Sequence, residues 1–139
     1  MAISFNFDNS FNLKNRLKIK RWIKQVVENA GCKLGDVSYI FCSDEKILEV
    51  NKQYLNHDFY TDIITFDYVE KDRINGDIFI STDRVKENAS QFNVDFEEEL
   101  HRVIIHGILH LLGQEDHTPK EEQQMRKKEN EALKLMRNY

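Results

Sequence analysis

The run Asp62-Ile63-Ile64-Thr65-Phe66-Asp67-Tyr68-Val69, followed after five intervening residues by Asn75-Gly76-Asp77-Ile78-Phe79-Ile80, decides the fold. β-Branched and aromatic side chains dominate both runs, which suits a pleated, half-buried surface. Asn75-Gly76 is a turn signal, so the two runs read as an antiparallel hairpin. Upstream, Ile3, Phe5 and Phe7 alternate with polar residues as in a strand. From Asn15 to Ala30 the apolar residues keep a helical period, and Gly31 supplies the stop. Val37 to Cys42 is a further short strand, after which Ser43 or Asp44 caps a helix that turns Ile47, Leu48 and Leu55 inward. Downstream, Ser81 or Thr82 begins a helix to about Gln91. Another starts near Asp95, whose side chain is placed to cap it, and runs to Gly113. Thr118-Pro119 opens the last, which mixes both signs of charge and reads as an exposed helix. Four strands and about five helices, mostly segregated along the chain, predict an α+β fold. Residues 1–139 then form a single domain, a small mixed sheet of about four strands packed with about five helices.

The chain has 139 residues, with 20 Lys+Arg against 24 Asp+Glu. That length suits one domain, and such a chain buries enough surface to fold without disulfides. No apolar run approaches the roughly 20 residues of a membrane span, and no secretory signal reads at Met1 to Phe11. The expectation is a cytoplasmic protein with Cys32 and Cys42 reduced and buried. The net charge of −4 speaks against a surface coated in nucleic-acid contacts, but it is unevenly spread. Residues 1–43 hold seven basic against three acidic residues, and six of those bases (Lys14, Arg16, Lys18, Lys20, Arg21 and Lys24) crowd one helix. Such a cluster either solvates a helix face or attracts a polyanion.

The chemistry concentrates in His106-Gly107-Ile108-Leu109-His110-Leu111-Leu112-Gly113-Gln114-Glu115-Asp116-His117. Four residues apart on a helix, His106 and His110 project from one face, the spacing that offers two imidazoles to one metal ion. Gly113 permits a left-handed turn that can bring His117 back toward the same point. The helix is apolar almost all round, from Leu100 and Val103 to Leu112, so it is buried. Buried imidazoles need partners for their nitrogens, and a shared metal supplies one. Three neutral nitrogens leave a fourth tetrahedral position open, as in catalytic zinc sites, although other divalent transition metals also take imidazole. Helix-borne zinc peptidases carry Glu directly after the first His. Gly107 stands there, which disfavours a peptidase. Glu115 or Asp116 is placed to orient a ligand or accept a proton, or else to form an ordinary polar turn.

This segment resembles the signature of the YbeY family, single-strand-specific, metal-dependent endoribonucleases of ribosomal RNA maturation and ribosome quality control. Thr61-Asp62-Ile63-Ile64-Thr65-Phe66 is similar to the family's Thr-Asp-Val-Leu-Ser-Phe strand, Gly76-Asp77-Ile78 to its Gly-Asp-Ile strand, and Glu99-Leu100 also fits. The resemblance implies an α+β fold and one Zn2+ ion held by His106, His110 and His117, with Asp116 beside them in the catalytic set. Its implied partners are single-stranded RNA, ribosomal RNA and the small ribosomal subunit, with neither DNA nor membrane. Two departures stand out. Six residues rather than the family's five separate His110 from His117, which leaves His117 and Asp116 as alternatives for the third ligand. Leu55 occupies the position of the family's arginine, and Lys52, His57 and Arg73 are candidate substitutes. Tyr54, Phe59 and Tyr60 are candidate platforms for unpaired bases, and the basic helix is a candidate phosphate contact. The competing reading is a ribosome- or RNA-associated binding module whose zinc is mainly structural.

Overall fold

A computed structural model describes residues 3–57 and 61–139. The hairpin forms, but it turns elsewhere than at Asn75-Gly76. Strand β3 (Ile63–Asp67) runs antiparallel to β4 (Arg73–Ser81), with Ile63 opposite Ile80 and Asp67 opposite Gly76. The chain reverses between Glu70 and Arg73, which exchange backbone hydrogen bonds of 3.1 and 2.9 Å around Lys71 at φ 56°. Tertiary demands override the turn signal. The Asn75 side-chain oxygen accepts from the Asp36 N–H at 2.8 Å, where pairing in the neighbouring strand shifts register. Gly76 is needed for close approach, because a Cβ there would lie 2.7 Å from the Phe66 carbonyl oxygen.

Two more strands, β1 (Ile3–Phe7) and β2 (Lys33–Cys42), complete a sheet of order β1-β2-β4-β3. β1 runs parallel to β2 and β2 parallel to β4. The first half of the chain therefore alternates strand and helix rather than segregating them, since parallel neighbours need a crossover. Helix α1 (Arg16–Asn29) joins β1 to β2, and α2 (Asp44–Leu55) leads on to β3. Helices α3 (Thr82–Phe92), α4 (Phe96–Leu111) and α5 (Pro119–Met136) follow. The α+β domain is as expected.

The period of two along the strands splits the core between the sheet's faces. Ile78 and Ile80 of β4 join α1, α4 and α5 in the larger cluster, whereas Phe79 packs beneath α2 with Ile47, Val50 and Ile64. Polar tips pin the larger cluster. The buried Trp22 indole N–H of α1 donates to the Ala132 carbonyl of α5 at 2.7 Å. The buried Tyr39 hydroxyl of β2 donates to the Ile104 carbonyl of α4 at 2.9 Å. Gly107 lets α4 lie against the hairpin, because a Cβ there would meet Ile78 Cδ1 at 2.9 Å and Ile63 Cδ1 at 3.2 Å.

Several local expectations hold. Ser43 and Ser81 cap α2 and α3 through their hydroxyls, Gly113 follows α4 at φ +102°, and Thr118 with Glu121 forms a capping box ahead of Pro119. Others do not. Asp95 precedes α4 without a side-chain cap. In α2 Ile47 is buried as expected, but Leu55 faces outward, 40% exposed, and Val50 and Asn51 take the other buried positions. Of the cysteines, Cys42 is buried but Cys32 only partly so.

Candidate active site

A cavity of about 670 Å³ opens between α2, α3, β3, α4 and α5. His106 and His110 reach it because they share one face of α4, while the adjoining flank is pressed onto the hairpin at Gly107. Asp116 and His117, in the loop after α4, line the same cavity. The four residues singled out by spacing therefore meet in one cleft, but not equally closely. Asp116 Oδ2 lies 3.4 Å from His106 Nε2. The His117 ring is 74% exposed, and its Nε2 sits 3.0 Å from Glu115 Oε2. Its backbone is anchored as well, since Glu121 accepts the N–H groups of His117 and Thr118 at 3.2 and 3.0 Å. Among the described residues, no three His, Cys, Asp or Glu side chains are arranged as a metal-holding group.

Glu129 is the residue the sequence reading missed. Helix α5 is exposed only in part, and it buries Met125, Glu129, Ala132 and Met136. Those positions keep a helical spacing, so a carboxylate inside the apolar stripe was a legible signal that the mixed charges around it hid. Glu129 is 5% exposed. Its Oε2 lies 2.7 Å from His106 Nδ1, and its Oε1 accepts from Arg102 Nη1 at 3.0 Å, with Arg126 Nη1 at 3.6 Å. With Nδ1 so held, Nε2 is the nitrogen that faces the cleft and Asp116.

The electrostatics follow from this arrangement. Burial works against a charged His106, but the Glu129 hydrogen bond and charge, reinforced by Asp116 and Asp62, raise its pKa above the ordinary value. Burial likewise opposes ionisation of Glu129, and the hydrogen bonds from His106 and Arg102 overcome it and lower its pKa. Asp62 and Glu99 also line the cleft, and burial raises both of their pKa values, each carboxylate in a field that includes other acids. The cleft's floor is thus acidic, with Arg102 and Arg126 as its arginines.

The candidate substitutes for an arginine separate cleanly. His57 lines the cleft, Lys52 does not, and Arg73 begins β4 beside Glu70, Lys71 and Asp72. Of the candidate platforms, Tyr54 packs edge-on against Phe66 without lining the cleft, and Phe59 and Tyr60 lie outside the described residues. Phe92 and Leu55 line the cleft instead. None of Lys14 and the five α1 cations lines it, and two are engaged elsewhere, Arg16 over the Phe7 ring at 4.6 Å and Lys20 over that of Phe5 at 5.7 Å.

The α+β fold of this chain has a solved counterpart. A solution structure from Thermotoga maritima matches with a TM-score of 0.67 at 29% identity, covering 99% of this chain and 93% of that one. The family described as Endoribonuclease YbeY matches residues 4–137, and the chain belongs to that family. A relative from Parabacteroides distasonis named Endoribonuclease YbeY is 61% identical over 118 residues, 85% of this chain and 83% of that one. One from Flavobacterium psychrophilum with the same name is 49% identical over 133 residues, 96% of this chain and 95% of that one. Among the described residues, no helix is long and apolar enough to cross a membrane.

Proposed function

We propose that this chain is a zinc-dependent endoribonuclease specific for single-stranded RNA. It acts in the cytoplasm on ribosomal RNA, in its maturation and in ribosome quality control, with the small ribosomal subunit as partner. The observation that carries the reading is the clamp of Glu129 on His106 Nδ1 in a chain of this family. Metal-ligating histidines characteristically give their second nitrogen to a carboxylate, which fixes the tautomer and aims the other nitrogen at the ion. The donor chemistry fits zinc: His106 Nε2, His110 one turn on, and either His117 or Asp116 from the loop. Zinc held there would supply Lewis acidity against the charge that develops on a phosphodiester. The chain's own residues do the rest. Glu129 orients His106, Asp116 stands beside Nε2 to orient or accept a proton, and the arginines offset the charge of a bound phosphate. The exposed cations of α1 hold phosphates of the same strand farther from the cleft.

The test is a paired measurement of bound zinc and single-stranded RNA cleavage in the parent and in His110→Ala. Loss of both in the variant supports the reading. Cleavage that continues at the parent rate sinks it, and zinc that raises the melting temperature of a protein with no cleavage supports the binding-module reading instead. Zinc titrations of Asp116→Asn and His117→Ala then identify the third ligand as whichever change weakens binding.

A further inference from the structure

The two walls of the cleft differ in kind. On one side α2 presents Asn51 and Leu55, and α3 presents Asn88 and Phe92. Each is a pair four residues apart, so on both helices an amide stands one turn from an apolar side chain on the same face. Phe92 is 59% exposed and Leu55 40%, although both border a cavity whose floor is polar. On the other side α5 brings Arg126, whose side chain is 58% exposed and only loosely paired to Glu129 at 3.6 Å. Arg102, at 3.0 Å from the same carboxylate and 19% exposed, is held in place. Arg126, Asp116, His106 and Glu129 also border a second cavity of about 610 Å³ along α5, so the arginine stands where the two spaces meet.

A ligand matched to both walls has a flat apolar part with hydrogen-bonding edges at one end and an anion at the other. A nucleotide unit is such a ligand. We propose that the α2–α3 wall is a nucleobase subsite, in which one unpaired base stacks on Phe92 beside Leu55 with the Asn88 amide at its edge. A neighbouring phosphate of that strand rests on Arg126 across the histidine floor. This inference rests on the ribonuclease reading and deepens it, because a base held in a duplex has neither face free to stack. The second cavity along α5 is where the strand continues beyond Arg126.

The experiment compares a short, unstructured, fluorescent RNA with an abasic ribose-phosphate chain of the same length. Stopped-flow anisotropy reads their binding to the intact protein ahead of cleavage. Phe92→Ala is expected to weaken RNA binding by about 5- to 150-fold, the span of one stacked base, and to leave binding of the abasic chain unchanged. Phe92→Trp is expected to retain RNA affinity. Arg126→Gln is expected to weaken both ligands and to flatten the logarithmic salt slope by about 0.7, the loss of one single-strand phosphate contact. Equal losses on both ligands in Phe92→Ala, or none, overturn the base subsite, and an unchanged salt slope in Arg126→Gln overturns the phosphate contact. A parent protein that binds neither ligand overturns the RNA reading itself. Both side chains are exposed, so the variants are expected to melt within about 5 °C of the parent.

Discussion

Replacing Glu129 by Gln keeps the shape of the side chain and deletes its charge. In the folded protein one carboxylate oxygen meets His106 Nδ1 at 2.7 Å, while the other meets Arg102 at 3.0 Å and Arg126 at 3.6 Å. An amide offers one acceptor oxygen where the carboxylate offers two. Its nitrogen, a donor, must then face either the guanidinium, which only donates, or the imidazole, which can accept at Nδ1 only by moving its proton to Nε2. A hydrogen bond to a charged group contributes about 1.5–3 kcal/mol, and the exposed Arg126 pair adds at most about 1. The expected loss is therefore about 3 kcal/mol, most of it from the buried contacts. For a domain of this length each kcal/mol moves the midpoint by roughly 3–5 °C, so the variant should melt roughly 10 °C below the parent.

The assay is thermal unfolding of the metal-free protein by circular dichroism, repeated at about 1 M salt. A surface effect would fade there, as the Debye length falls to about 3 Å, whereas the buried contacts are little screened. Replacing both Arg102 and Glu129 by Met should recover much of the loss, since no buried charge is then left unpaired. If zinc binds as proposed, its affinity for Glu129→Gln falls about 10- to 100-fold. A midpoint within about 2 °C of the parent would refute the reasoning, because the carboxylate would then be neither buried nor organising the arginine and the histidine.

Gly76→Ala should lose about 2 kcal/mol by urea unfolding, since its Cβ would press on the Phe66 carbonyl at 2.7 Å and on Leu111 at 3.0 Å; stability equal to the parent would contradict that approach. Burial, aided by Asp8, pushes the Cys42 thiol up to about 12, so a thiol reagent near pH 8 should modify only Cys32 in the native protein and both cysteines after denaturation. Rapid modification of both native thiols would disprove the seclusion of Cys42. Burial against Trp22, with Lys18 adding and Glu97 opposing, lowers the pKa of His101. The folded state therefore disfavours its protonation, so that contribution is intact above about pH 6.5 and is lost as the pH falls below it. His101→Gln should lose less stability on acidification than the parent, and parallel pH profiles would argue against this.

What the sequence disclosed divides by the range of the interaction. Helix boundaries were legible where the signal is local: Ser43, Ser81 and the Thr118–Glu121 box each act within three residues of themselves. The pair His106 and His110 was legible because a helix converts a spacing of four into a shared face. Asn75-Gly76 misled because its neighbours in space, Asp36 and Phe66, belong to other strands and outweigh the local turn preference. Glu129 was hidden because its partners are 23 and 27 residues away, in a helix whose surface charges mask a buried stripe. Phe92 was passed over because an aromatic residue at a helix end reads as core until its surroundings are known.

The same division explains why the site is firm on one side and open on the other. Gly107 presses α4 onto Ile78 and Ile63, so the backbone that carries His106 and His110 cannot shift without opening the core. Glu129 joins that backbone to α5, and α5 is tied to α1 through the Ala132 carbonyl and Trp22. Histidine position is thus enforced by the largest cluster in the protein, which suits groups that must hold one geometry. At the tips of the α2–α3 wall, by contrast, Leu55 and Phe92 are exposed ends of helices whose buried residues lie a turn earlier. Changes there alter what the cleft receives at little expense to stability, whereas changes at Glu129 or Gly107 reach the fold and the histidines together. On the proposed reading, base selection and the histidine chemistry therefore rest on parts of the fold with different tolerance for change.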